Sequence, residues 1–330
     1  MRILVTGGAG YVGSVTVERL VAAGHEAVVL DDLSTGHPGA VPEGARLVRG
    51  SYADQSAITA LLATTGIEAV LHCGARSLVG ESIADPARYY RANVVGGVAL
   101  LEAARAAGVR RFVFSSTAAV YGVPDEVPIP EDAPLRPINP YGETKRTFEA
   151  ALAWYATAYG FRAVSLRYFN VAGASEANGE DHDPETHLIP NVLAAAETGG
   201  EVRIFGTDYP TRDGTCVRDY IHVLDLADAH LAALEATDPA DARTNAGLVC
   251  NLGTATGFTV EEVVRAAEAV VGRTLPRRAE PRRPGDPPAL VASNERAREV
   301  LGWEPRRSSL PEMIGSAWRW RQAHAGGYRS

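Results

Sequence analysis

The sequence predicts an α/β chain: a doubly wound parallel sheet of the Rossmann type, with a smaller substrate domain interleaved through its C-terminal part. Three observations predict it. A glycine-rich turn joins a short apolar run to a helical pattern at the start of the chain. Apolar runs and helical stretches then alternate up to Arg167, as they do in successive βαβ units. After Arg167 the alternation gives way to short strands, polar loops and separate helices.

The elements follow in order. Ile3-Leu4-Val5 is the first strand, and Gly7-Gly8-Ala9-Gly10-Tyr11-Val12-Gly13 the turn after it. A helix then runs to about Ala23, where Gly24 stops it. The second strand, 27–30, ends at Asp31, and further apolar runs lie at 45–48, 69–72, 111–115 and 163–167. Helical stretches at about 54–64, 86–107 and 141–159 separate them. Beyond these, 172–186 reads as a polar surface loop, 188–198 and 259–271 as helices, 276–288 as a Pro/Arg-rich connection and 311–323 as a final helix. The expected division is 1–170 for the sheet domain, with return segments at about 218–250, and 171–217 with 251–330 for the smaller one.

Composition removes several classes of function. A net charge of −8 without a basic block argues against nucleic acid as a partner. No apolar stretch has the length of a membrane span, and the first six residues run straight into the glycine turn, unlike a signal peptide. Cys73, Cys216 and Cys250 are too few and too scattered for a disulfide framework or a zinc site. A cytoplasmic enzyme without a metal is expected. Among its 32 basic side chains, only Lys145 is lysine. A chain that writes arginine everywhere else keeps an ammonium here, which marks the position.

Gly7, Gly10 and Gly13 form GxxGxxG between strand and helix, where bare backbone and a helix N-terminus can meet a pyrophosphate. Asp31 stands at the end of the next strand, placed to accept the ribose hydroxyls of an adenosine. With Asp32 beside it, this favours NAD over a 2′-phosphorylated cofactor. Tyr141 and Lys145 are i and i+4 on one helix face. An ammonium one turn away, with the positive nicotinamide ring of NAD⁺ nearby, is expected to lower the phenol's pKa, so that Tyr141 can act as a general base. The strand ending Ser115-Ser116-Thr117 supplies hydroxyls at the sheet edge where such folds bind ligands. Taken singly, Ser115 or Ser116 reads more simply as a polar strand end.

These motifs, with Val120-Tyr121-Gly122 and Arg167-Tyr168-Phe169-Asn170, resemble the extended short-chain dehydrogenase/reductases. Val79-Gly80-Glu81-Ser82, Asp208-Tyr209-Pro210-Thr211, Asp213-Gly214-Thr215 and Val217-Arg218-Asp219-Tyr220-Ile221-His222-Val223 are similar, more narrowly, to the nucleotide-sugar 4-epimerases among them. The resemblance covers nearly the whole chain. It implies that bound NAD oxidises C4 of a nucleotide hexose, UDP-glucose or UDP-galactose first, and returns the hydride to the other face.

By the same resemblance Tyr141 is the base, Lys145 its activator and a ribose ligand, and Thr117 the hydroxyl on O4. The cofactor is expected along Gly7, Gly10, Tyr11, Val12, Gly13, Asp31, Asp32, Ser34, Ser51, Tyr52, Cys73, Gly74, Ala75, Ser77, Asn93, Ser115 and Tyr168. The nucleotide sugar is expected on Ser116, Phe169, Asn170, His187, Leu188, Arg203, Phe205, Arg218, Arg283, Asp286 and Leu290. A homodimer through the helices near 86–107 and 141–159 is implied too.

The Asp-Glu pair of the related dehydratases is replaced by Ala118 and Ala119. Departures from the pattern are Ser51 for an acidic residue, Cys73-Gly74-Ala75-Arg76-Ser77 for a segment that usually carries lysine, and His187 for asparagine. Leu290 leaves open whether N-acetylated sugars enter. Cys73 reads as a packing residue or as an acid/base group. An epimerase for another nucleotide sugar and a non-catalytic NAD-binding protein remain the alternatives.

Overall fold

The computed structural model describes residues 1–244, 247–283 and 286–328. Positions 284 and 285 of the expected Pro/Arg-rich connection therefore lie outside the described residues. The first half contains β1 (Arg2–Thr6), α1 (Tyr11–Ala22), β2 (Glu26–Asp31), β3 (Arg46–Arg49), α2 (Gln55–Thr65) and β4 (Ala69–His72). Then come α3 (Val79–Ala84), α4 (Pro86–Tyr89) and α5 (Gly97–Ala106), the last two joined by a π-helical stretch, Tyr90–Gly96. β5 (Arg111–Thr117), α6 (Pro140–Tyr159) and β6 (Arg162–Tyr168) complete it.

The second half holds β7 (Asn170–Ala172), α7 (Leu188–Thr198), β8 (Val202–Phe205), β9 (Val217–Arg218), β10 (Tyr220–His222), α8 (Val223–Ala236) and β11 (Leu248–Leu252). β12 (Phe258–Thr259), α9 (Val260–Val271), β13 (Arg277–Glu280), β14 (Ala289–Leu290), α10 (Glu295–Leu301) and α11 (Leu310–Ala323) follow.

Seven strands form one parallel sheet in the order β11-β6-β5-β4-β1-β2-β3. The order reverses direction at β1, and that is where the glycine turn emerges. Alternate residues of the strands feed two cores, as strand geometry requires. Ile3, Val5, Val29 and Leu71 pack with Val17, Leu20, Leu226 and Ala233 on one face. Leu4, Val28, Val70, Phe112 and Phe114 pack with Leu62, Leu100, Phe148 and Leu152 on the other. A third core joins Ile189, Val192, Leu193, Val263, Val264, Ala267, Met313 and Ile314 of α7, α9 and α11.

Three features differ from expectation. The fourteen-residue α8 starts directly after β10 with no turn between them, and nine of its residues are buried. The short strand β11 adds the seventh member of the sheet. Ala297 of α10 and Trp303 join the sheet-side core, so α10 lies with the sheet and not with the smaller domain to which the 251–330 boundary gave it. No helix among the described residues is long and apolar enough to cross a membrane.

Candidate active site

A cleft of about 1750 Å³ opens at the C-terminal ends of the parallel strands, between the sheet and the assembly of α7, β8, β9 and β14. It exceeds the roughly 300–1,000 Å³ of a pocket for one small ligand, so it has room for two side by side.

On the sheet wall, the turn from β1 into α1 presents Gly7, Gly10, Tyr11, Val12 and Gly13. Gly7 has φ +69°, and a Cβ there would lie 2.5 Å from Gly74 Cα. A Cβ on Gly13 would lie 2.1 Å from Gly7 O. These glycines let the turn close on itself and leave α1 with no side-chain cap over its first N–H groups. Asp31, Asp32, Ser34, Ser51, Tyr52, Cys73, Gly74, Ala75 and Ser77 continue the wall, with Tyr168 at its inner end.

Where the two walls meet stand Thr117, Tyr141 and Lys145. Asn139 caps α6 by accepting from Gly142 N at 2.8 Å, and Pro140 occupies the first turn. This fixes Tyr141 and Lys145 on one face, as the spacing predicts. Thr117 is hydrogen-bonded to the Tyr141 phenol. Lys145 Nζ donates to Ser115 O at 2.8 Å and lies 6.0 Å from the Tyr141 ring centre.

Burial raises the Tyr141 phenol above its ordinary value, and only the Thr117 hydrogen bond opposes it. Burial also lowers the Lys145 ammonium to about 8, against the pull of Cys73 and Glu149. Both charged forms lose hydration in the same dry spot, and that loss is the largest cause of each shift. Burial likewise pushes the Cys73 thiol up, which favours its role as a packing residue over that of a thiolate.

The opposite wall comes from separate segments. Arg218 pairs with Asp286, and Arg283 lies 4.0 Å over the Phe205 ring. Phe169 and Leu290 pack against Ala118, Val120, Tyr121 and Ile129. Asn170, His187, Leu188 and Arg203 complete the expected set on this wall. Asp219 stitches the segments together, accepting from Thr254 N at 2.7 Å and Ala292 N at 3.0 Å.

The loop before α7 was expected at the surface, but Glu180, His182, Glu185 and His187 line the cleft. Burial disfavours charge on each of Glu180 and the two histidines. Mutual pairing overrides it, holding Glu180 near 2, raising His182 and raising His187 to about 10. Glu180 and His182 escaped the sequence reading, although two histidines and two glutamates in eight residues were a visible signal. Tyr220 and Cys216 also line the cleft, with no local pattern to announce them.

The NAD dependent epimerase/dehydratase family model matches residues 3–249. The chain belongs to that family. It is 49% identical over 331 residues to the UDP-glucose 4-epimerase of Lactobacillus helveticus, covering 99% of each chain. A UDP-glucose 4-epimerase from Brucella ovis in complex with NAD superposes with a TM-score of 0.92 at 45% identity, over 96% of this chain and 97% of that one. The Bifidobacterium longum enzyme in complex with NAD⁺ and UDP gives 0.92 at 34% identity, over 99% and 100%.

As a member of the NAD dependent epimerase/dehydratase family the protein uses NAD, and its residues fit that cofactor. Asp31 Oδ2 accepts from Ala9 N at 3.0 Å and Oδ1 from Leu33 N at 2.9 Å. Each oxygen keeps a free lone pair for a ribose hydroxyl. Burial first of all raises the Asp31 pKa and Asp32 adds to it, so a 2′-phosphate would meet two carboxylates there.

Three expected ligands do not line the cleft. Asn93 is buried, accepting from Arg76 N at 2.8 Å and donating to Arg76 O and Thr144 Oγ1 at 3.0 Å each. It holds the backbone of Arg76, and Arg76 itself lines the cleft. Ser115 donates to His230 Nε2 at 2.8 Å, because His230 Nδ1 is already spent on Leu226 O. Ser116 donates to Glu149. Glu149 in turn pairs with Arg167 at 2.6 Å, and Arg167 Nη1 reaches the Tyr121 hydroxyl at 2.9 Å. The strand-end serines thus support the site from behind, and Thr117 alone of the three faces it.

Proposed function

We propose that the protein interconverts UDP-hexoses at C4, UDP-glucose and UDP-galactose first, with NAD as its resident cofactor. The observation that carries this is the position of Thr117, Tyr141 and Lys145 at the junction of the two walls. The glycine turn and Asp31 lie to one side, and Arg218, Arg283 and Phe205 to the other. NAD supplies a reversible hydride acceptor when bound.

The chain's own groups do the rest. The Tyr141 phenolic oxygen takes the proton from the C4 hydroxyl and returns it after the sugar turns, with Thr117 Oγ1 holding both oxygens by hydrogen bonds. Lys145, its ammonium poised near 8, supplies the charge that offsets the phenolate. Gly7, Gly10, Gly13 and Asp31 hold the dinucleotide. Arg218 and Arg283 meet the diphosphate, which suits their planar donor forks. Phe205, Asn170, Leu188 and Leu290 enclose the remainder. The similarity to the UDP-glucose 4-epimerases of Lactobacillus, Brucella and Bifidobacterium, the second in complex with NAD and the third with NAD⁺ and UDP, supports this reading.

The sheet, with 1–170 and return segments at about 218–250, serves the cofactor, and the C-terminal assembly serves the sugar nucleotide. The protein works as a cytoplasmic homodimer. Ile83, Tyr90, Val95 and Trp154, all exposed apolar residues on or beside α3 to α6, support the dimer, and three free cysteines support a reducing compartment.

A coupled assay with UDP-galactose and UDP-glucose, run beside a panel of GDP- and dTDP-hexoses, tests the proposal. Interconversion confined to the UDP pair is expected. Turnover of only another nucleotide sugar, or of none, overturns it.

A further inference from the structure

The loop between β7 and α7 reads Glu180-Asp-His182-Asp-Pro-Glu185-Thr-His187. It folds so that one ligand atom from each of Glu180, His182, Glu185 and His187 lies within 4.8 Å of the others. His187 Nδ1 is 2.6 Å from Glu180 Oε1 and 3.2 Å from Glu185 Oε1. His182 Nδ1 is 3.1 Å from that same Glu180 oxygen and 3.8 Å from Glu185 Oε2. The His182 nitrogen is shut off from solvent and faces these two carboxylates.

We propose that Glu180, His182, Glu185 and His187 form a binding site for a divalent metal ion of the zinc class. Two imidazole nitrogens and two carboxylate oxygens are a donor set that zinc accepts in a tetrahedron. Bonds of about 2.0–2.2 Å place tetrahedral donors about 3.3–3.6 Å apart, so the pairs at 2.6, 3.1 and 3.2 Å open and the widest pairs close, each by no more than on the order of 1 Å. The charge also balances. Two carboxylates offset the two charges of a dication, and two neutral imidazoles complete its ligands.

Further hydrogen bonds hold the loop. Glu185 Oε1 accepts from Thr186 N and His187 N at 2.7 Å each. Asp181 carries the loop against the C-terminal segment by accepting from Tyr328 N at 2.9 Å. His37 Nε2 donates to Asp181 O at 2.9 Å. The ion clamps the loop that leads into α7, and with it one stretch of the cleft wall.

The test uses the full-length protein after chelator treatment. Zinc is titrated by calorimetry, and cobalt(II) by its visible absorption. One ion per chain is expected, with the intense absorption of tetrahedral cobalt and a rise in Tm with zinc. His182→Ala and His187→Ala, each checked for fold by circular dichroism, should each weaken zinc binding by at least ~10-fold. Asp183→Asn, which spares all four donors, should leave it unchanged. Should a histidine variant fail to fold, Glu180→Gln takes its place with the same expected loss. No saturable zinc binding, or binding that these variants leave intact, overturns the site.

Discussion

The two walls of the cleft are built on opposite principles. The sheet wall rests on buried, interlocked groups: Lys145 against Ser115 O, Ser116 on Glu149, Glu149 on Arg167, and Arg167 on Tyr121. The facing wall is drawn from segments far apart in the chain, and its charged side chains stay partly open, as in the Arg218–Asp286 pair and Arg283 on Phe205. The contrast suits the chemistry. Proton transfer needs atoms held to a fraction of an ångström, whereas a nucleotide sugar that turns between two orientations needs contacts that tolerate movement.

Four measurements sharpen or break this comparison. The largest effect is expected at Tyr141. Tyr141→Phe should lower kcat by roughly 10²–10⁴-fold, as the loss of a general base does, with an unchanged unfolding midpoint. Lys145→Arg should also cripple turnover, because a planar guanidinium does not fit the compact place of the ammonium. Near-parental rates for either would remove the sheet wall from the chemistry.

Next comes Glu149→Ala. It strands the buried Arg167 guanidinium, and urea unfolding should show a loss of about 3–5 kcal/mol. A loss below ~1 kcal/mol, typical of surface pairs, would mean the wall is not locked by this network.

On the facing wall, Arg218→Ala should raise KM by ~10-fold or more while kcat changes little, the pattern of lost uniform binding. A fall in kcat with KM unchanged would erase the distinction between the walls.

The smallest effect is a pH dependence. Lys145 titrates near 8 in the folded chain against an ordinary 10.5. Between those values the unfolded chain holds a proton that the folded chain does not, so folded stability rises with pH across that window. Nucleotide-free protein should therefore gain stability relative to Lys145→Met between pH 8 and 10. Parallel stability curves for the two proteins would contradict the buried ammonium.

Much of the sheet wall was legible because its signals are local. Gly7, Gly10 and Gly13 obey one turn's sterics, and Tyr141 and Lys145 obey one helix's period. The strand-end serines show the limit. Ser115, Ser116 and Thr117 look alike in sequence, but strand alternation and the partners waiting at His230 and Glu149 decide which hydroxyl meets the cleft. The helix at 223–236 was missed because it follows β10 with no turn residue to mark its start, and the loop at 172–186 because polar composition resembles exposure. Glu180 is polar and nearly buried all the same, since its charge is balanced by two histidines.

By itself, the sequence determined the α/β alternation, the glycine turn, the carboxylate at Asp31 and the Tyr141–Lys145 pair, because each depends on neighbours within a turn or a strand. Tertiary structure alone decided the balance of charge. How far Tyr141 and Lys145 are stripped of water, and which of Ser115, Ser116 and Thr117 reaches the cleft, depends on side chains brought in from distant elements. The same holds for the gathering of two glutamates and two histidines at one point. Desolvation and pairing are sums over neighbours in space, and a linear pattern does not record them.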